Sequence, residues 1–358
     1  MSNLHFNSLK YLYKSVMNNK IDAILPTIYN DFYHTKFLLK SLDKNMLCLK
    51  TLHIIVPDLE FEKISSSIKD LNLKINYELI KESFLVPKIQ KYKNIKGWYK
   101  QQVIKLSAHN IITTDFFLVL DSDVILKQEL KYEDLIKDNK SSYFYFDSNL
   151  IFEFNRFLII LVSFLNKSIF KNLDFLMGGA GGFITWISGS RRILNINKKG
   201  VRYYNFTPCV LSKNALNLTI NHINSNVEGY NNYYKIKFKI YKFFFNIKDY
   251  NWQDYLLINT PIFNFPKKFA HMDDAFATWA EYSVYYNFLE HKKIIDNYHF
   301  FQDHTIYDLE NSVWWWFSAN KKINNLKIKK NNQPFIVIQS RSNVDSSLKE
   351  DFIKKFIL

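Results

Sequence analysis

Residues 116–123 read Phe-Phe-Leu-Val-Leu-Asp-Ser-Asp, an apolar run that stops at two carboxylates. Consecutive apolar residues bounded by charge suit a strand buried on both faces, as in a parallel sheet, with Asp121 and Asp123 at its carboxyl end. Open α/β sheets bind their ligands at that end. Continued strand alternation would point Asp121 and Asp123 to one side and Ser122 to the other. Both carboxylates would then reach one hard cation and leave its other positions to phosphate and water. The stretch reads as a divalent-metal and diphosphate site, against the plainer reading of a strand that runs into a solvated Asp-rich turn.

Upstream, the chain alternates strand-like and helix-like segments. Ile21–Leu25, closed by Pro26 and Thr27, reads as a first strand, and residues 32–47 carry Phe37, Leu38, Leu42 and Met46 at helical spacing. Leu52–Val56, a helical segment over residues 60–70 and a strand at Ile75–Ile80 follow. This β-α-β-α-β order predicts a mostly parallel, Rossmann-like sheet with right-handed crossovers and flanking helices. A more helical, aromatic-rich part follows it. The expected organisation is a nucleotide-binding half over residues 1–126, an acceptor and catalytic half over 127–319 and a tail over 320–358.

Composition bounds the rest. The chain has 358 residues, 47% of them hydrophobic and 17% aromatic, which is enough to bury a large core and excludes disorder as the main state. The net charge of +15 points to an anionic partner without choosing among nucleic acid, acidic lipid and phosphorylated small molecules. Cys48 and Cys209 lie far apart with no CxxC pattern, so neither a disulfide framework nor a zinc site is indicated, and a reducing cytoplasm fits. No segment reads as a secretory signal or is long enough to span a bilayer. The chain also lacks helix-turn-helix, zinc-finger and RNA-recognition signatures, so no nucleic acid is expected.

The segment directly before the acidic strand, Gly97–His109, reads as a helix on which Trp98, Gln101, Gln102 and Lys105 share one broad face. An aromatic, two amides and a lysine beside a metal site suit base stacking and phosphate or sugar contacts, unless Trp98 simply packs in the core. Farther on, Gly178-Gly179-Ala180-Gly181-Gly182 reads as a turn open to close ligand approach, with Phe183–Ile187 as the next strand. Residues 272–289 have helical spacing that would align Asp274, Thr278, Glu281 and Tyr285. Glu281, then Asp274, are the candidates for a general base.

Three motifs carry a family resemblance. They are Gly97-Trp98-Tyr99-x-Gln101-Gln102-x-x-Lys105-Leu106, the Leu120-Asp121-Ser122-Asp123 block, and Trp279-Ala280-Glu281-Tyr282-x-x-Tyr285. Together they resemble a poorly characterised bacterial family of glycosyltransferase-like proteins of GT-A type. The later motif of that family has Ser where Ala280 stands and Gly where Tyr286 stands, so the departures fall on the acceptor side. The resemblance implies that Asp121 and Asp123 bind Mn²⁺ or Mg²⁺ on a nucleotide-diphosphate sugar, with Asp123 the more direct ligand. It also implies that Pro26 and Thr27 border the nucleotide, that Lys105 contacts phosphate or sugar, and that Gly181 and Gly182 lie under the donor sugar. A third metal ligand would come from a later histidine, His299 or else His304. The activity implied is sugar transfer to a saccharide or lipid-linked acceptor, as in bacterial surface polysaccharide synthesis.

The remaining features are less specific. Lys235, Lys237 and Lys239 would share a strand face suited to peripheral contact with an anionic membrane, or simply to solvent. Residues 151–170 read as a core or interfacial helix, Trp314-Trp315-Trp316 as an aromatic cluster, and Pro334–Ser340 as a late edge strand. Two other function classes fit parts of the pattern. A haloacid-dehalogenase-type phosphatase would use Asp121 as nucleophile, although its motif normally opens the chain. A non-enzymatic basic binding protein would have no need of the acidic pair.

Overall fold

The computed structural model describes residues 19–93, 95–147, 181–196, 202–204, 207–228, 251–260, 279–308, 312, 333–339 and 346–356. It is a mixed α/β structure. In chain order, the elements used below are β1 (Ile21–Pro26), α1 (Phe32–Asn45), β2 (Leu49–Val56), α2 (Phe61–Lys69), β3 (Tyr77–Lys81), α3 (Gly97–Ser107), β4 (Phe116–Val119), β5 (Val124–Leu126) and β6 (Lys140–Tyr143). They continue with α4 (Gly181–Ile193), β7 (Cys209–Ser212), α5 (Lys213–Glu228), α6 (Trp252–Ile258), α7 (Glu281–Lys292), β8 (His299–Phe301), β9 (Phe335–Val337) and α8 (Ser346–Phe356).

The central sheet has the order β7-β4-β1-β2-β3, with β4, β1, β2 and β3 mutually parallel and β7 antiparallel to β4 at one edge. Its strands are apolar on both faces because both are covered. Strand alternation sorts the side chains cleanly. Ile24, Ile55, Phe117, Val119 and Leu211 face a core built with α3, α5, α6 and α7, whereas Ala23, Leu25, Ile54, Leu118 and Val210 face one built with α1 and α2. Each fully buried Leu, Ile or Phe contributes about 1.5–3 kcal/mol relative to exposure, so the short strand β4 is among the most strongly held pieces of chain.

Two sequence expectations are corrected here. Phe183–Ile187 is not a strand, because residues 181–193, including Gly181 and Gly182, form α4. The run carries apolar residues at helical as well as strand spacing, and periodicity cannot separate the two over so short a stretch. The late strand β9 does not close an edge of the main sheet. It pairs antiparallel with β5, and Ile338 N donates to the Asp123 carbonyl at 2.9 Å, so the C-terminal segment is stitched to the chain just past the acidic pair. Residues 151–170, Lys235, Lys237, Lys239 and the 314–316 tryptophans lie outside the described residues. Among the described residues no helix is long and apolar enough to cross a membrane.

Candidate functional site

The site forms where α3 and α7 meet the carboxyl end of β4. Leu120 N still donates to the Ile24 carbonyl at 2.9 Å, but the strand has ended at Val119, and Val124 N donates to the Asp121 carbonyl at 3.2 Å to close a turn. Strand alternation therefore does not carry through the acids. Asp121 and Asp123 address different neighbours.

Asp121 meets Lys105. The lysine, 2% exposed, places Nζ 2.8 Å from Asp121 Oδ1, 2.9 Å from Glu281 Oε1 and 3.3 Å from Thr207 Oγ1. An ammonium has three N–H groups, and these partners use all of them. Burial alone would lower the Lys105 amine, but the two carboxylates overturn that and hold it above the ordinary lysine value. The chain extends through Thr207 Oγ1, 2.8 Å from the Tyr282 hydroxyl, while Glu281 N donates to Gln102 Oε1 at 3.2 Å. The residues on α3 that share a face in the sequence reading thus converge on the start of α7. Lys105 and Gln102 lie one turn apart on α3, and Glu281 is the first residue of α7, where a carboxylate also meets the positive end of the helix dipole.

Exposure sorts the roles. The Asp121 side chain is 36% exposed, whereas Glu281 is 3% exposed and lies against the far side of the lysine. Glu281, expected as a general base, is buried in this structure and braces Lys105. Burial pushes its carboxyl above the usual range, with Lys105 pulling it back. α7 begins at Glu281, with Ala280 extended, and Asp274 lies outside the described residues.

The other predicted residues fall at varying distance from this network. Pro26 is buried at the end of β1, and Thr27 Oγ1 is 2.7 Å from Thr35 Oγ1, which ties the β1–α1 loop to α1. Trp98 is stacked on Trp186 of α4, ring centres 5.3 Å apart, so it packs on protein in the way the plainer reading foresaw. Gln101 is half-buried.

His299 is not placed as a metal ligand. Ser141 Oγ donates to the Val210 carbonyl, so it accepts from His299 Nδ1–H at 2.7 Å; Nε2 is then the acceptor for Tyr285 OH at 2.7 Å, which itself accepts from Ser212 N at 3.1 Å. Both ring nitrogens are in use, and burial drives the imidazole down to about 3, which keeps it neutral as a structural joint between β6, β7 and α7. His304 lies 2.7 Å from the Asp303 carboxylate. Among the described residues no group of three or more His, Cys, Asp or Glu side chains gathers to hold a metal. The donor chemistry nonetheless suits Mg²⁺ or Mn²⁺, which bind through one or two carboxylates and complete their shell with substrate phosphates and water.

Residues absent from the sequence reading also enter. Thr207 and Trp186 are two of them. Lys349 of α8 is another; burial lowers its amine to about 8 against the pull of Asp123 and Asp31, and its Nζ is 2.6 Å from His34 Nδ1 and 2.9 Å from the Ile338 carbonyl. No pattern near Lys349 marks it, because it lies far down the chain in a lysine-rich stretch.

With this geometry in place, comparison with known proteins assigns the chain to a family. Residues 18–358 match the model of DUF6492, a family of unknown function, and the chain belongs to it. No curated protein matches the chain. Among solved structures, the glycosyltransferase GlyE of Streptococcus pneumoniae TIGR4 is 22% identical over 32% of this chain and 26% of its own, with a TM-score of 0.22. Mouse xyloside xylosyltransferase 1 is 11% identical over 40% of this chain and 58% of its own, with a TM-score of 0.26. This chain thus spans about a quarter of the first of these structures and under two thirds of the second.

Proposed function

We propose that this protein is a metal-dependent glycosyltransferase that moves a sugar from a nucleotide-diphosphate donor to a saccharide or glycolipid acceptor in bacterial surface polysaccharide synthesis. The observation that carries the reading is the partly exposed Asp121 carboxylate at the carboxyl end of a parallel strand, held from beneath by a lysine that Glu281 braces. Two carboxylates share one contacting ammonium, so the Asp121–Lys105–Glu281 group carries excess negative charge toward its open side and favours a cation there. Residues 97–123, where the resemblance to GT-A glycosyltransferase-like proteins is densest, supply Lys105 and Asp121 of this group.

In the mechanism, Mn²⁺ or Mg²⁺ held by Asp121 and Asp123 would neutralise the charge left on the departing diphosphate. Lys105 fixes the rotamer of Asp121 through their 2.8 Å contact. Glu281 and Thr207 occupy the other two Lys105 donors, so the ammonium cannot swing away from Asp121. Gln102 fixes the first turn of α7 and with it the position of Glu281. The excess basic charge elsewhere suits peripheral contact with the inner face of an anionic membrane.

Differential scanning fluorimetry with a panel of nucleotide sugars, with and without Mn²⁺, tests this. A ligand at about 100 times its Kd adds about 2.7 kcal/mol to stability, a rise of several degrees in Tm that needs both sugar nucleotide and Mn²⁺. Asp123→Ala abolishes the rise. A panel without any metal-dependent shift overturns the reading, and phosphate trapped covalently on Asp121 would replace it with the phosphatase.

A further inference from the structure

The second buried lysine beside the acidic turn has no assigned task. Lys349 is 2% exposed on α8, which is anchored by Phe352 and Ile353 in the interior and by Tyr33 OH donating to Glu350 Oε2 at 3.1 Å. Its Nζ touches the neutral acceptor His34 Nδ1 at 2.6 Å and the Ile338 carbonyl at 2.9 Å; no carboxylate lies within ion-pair distance among the described residues. Two of three N–H groups are thereby used. Burying an ammonium without a contacting carboxylate is costly, and a fold that keeps one does so most often at a functional site. The placement is specific. Ile338 is tied by its N–H to the Asp123 carbonyl, and His34 lies in the first turn of α1, beyond the loop that ends β1. Lys349 therefore links the segment bonded to the acidic turn with the first turn of α1.

We propose that Lys349 is a donor-binding residue that gives its remaining N–H to a phosphate oxygen of a nucleoside diphosphate lying between the acidic turn and the β1–α1 loop. The inference rests on the transferase reading above and deepens it. It makes the C-terminal helix part of the donor site, with the lysine held by α1 and the Ile338 carbonyl before any ligand arrives. A fixed ammonium there attracts a phosphate oxygen without depending on a surface side chain becoming ordered.

Isothermal titration of the full chain with UDP, GDP, CDP and ADP in Mn²⁺, and with the parent nucleosides, tests the assignment. Wild-type protein is expected to bind at least one diphosphate. Lys349→Gln, which keeps a donor for His34 or Ile338 but removes the charge, should raise the Kd for that diphosphate about tenfold, the loss of one charge-assisted hydrogen bond, and leave the Kd for the nucleoside unchanged. Lys349→Met should do the same and serves if the Gln variant does not fold, as judged from unliganded melting. Lys354→Gln, on the exposed side of the same helix, should bind as wild type does. Wild-type affinity in both Lys349 variants overturns this proposal alone, as does an equal loss for nucleoside and diphosphate or an equal loss in Lys354→Gln. Wild-type protein that binds no diphosphate overturns the transferase reading and this proposal with it.

Discussion

Lys105 and Lys349 flank one acidic turn, are buried to the same degree and have opposite electrostatic fates. Lys105 gives all three protons to oxygen partners, two of them carboxylates in contact, and is held above the ordinary lysine value. Lys349 gives two protons to neutral partners and is lowered to about 8 by burial, against which the more distant Asp123 and Asp31 act. Burial alone does not decide the protonation of an amine. The difference lies in whether a carboxylate is in contact, where the Coulomb term is largest, or only nearby. One lysine is thus part of the fold, and the other is a charge held in reserve at a binding site.

The largest expected effect separates them directly. Lys105→Met leaves Asp121 and Glu281 facing each other without their cation and should lower the unfolding free energy by about 3–5 kcal/mol in urea titrations at pH 7. Lys349→Met should change it by less than about 1 kcal/mol or raise it, because it removes an uncompensated charge. Equal losses would break the comparison.

The alkaline limb sharpens it. The folded value of Lys349 lies below the unfolded value, so between pH 8 and 10.5 the unfolded chain holds the extra proton and raising the pH favours the folded state. Relative to Lys349→Met, the wild type should gain up to about 3 kcal/mol across that window. Lys105 has the opposite sign. Its contribution is complete below the unfolded value and is lost as the pH rises from there through the folded one, so Lys105→Met should show no such gain over pH 8–10.5 relative to wild type. A wild-type gain that survives in Lys349→Met would refute the assignment.

The smallest effect concerns His34. Burial and then Lys349 lower its imidazole to about 4, so stability tied to His34 is lost as the pH falls from 6.5 toward 4. His34→Gln should make that acid limb shallower by less than one proton, since the ring is partly exposed. In NMR titrations the His34 resonances should move to a higher pKa in Lys349→Gln. An unshifted His34 would show that the two groups do not interact.

Local pattern was enough for the first half of the fold. The alternation of apolar strands and amphipathic helices up to β4 is written in the spacing of residues such as Leu38, Leu42, Ile64 and Ile68, because each element buries a periodic face. The acidic turn and the α3 residues Gln102 and Lys105 were legible for the same reason. What local pattern did not reveal was set by distant chain. Phe183–Ile187 is part of α4 rather than a strand, and Glu281 and His299 are buried. What buries them lies some 80 to 180 positions away: Ser190 Oγ accepts from Ala280 N, Lys105 binds Glu281, and Ser141 binds His299.

The sequence by itself determined that a parallel α/β sheet ends one of its central strands in two acids, because burial on two faces and a charge stop are both local signals. Only the tertiary structure decided what surrounds each acid. Asp121 found Lys105 because α3 packs beside β4, and the Asp123 carbonyl found Ile338 because β9 pairs with β5 across the turn. Coulomb energy depends on distance through space, and no spacing along the chain encodes that distance.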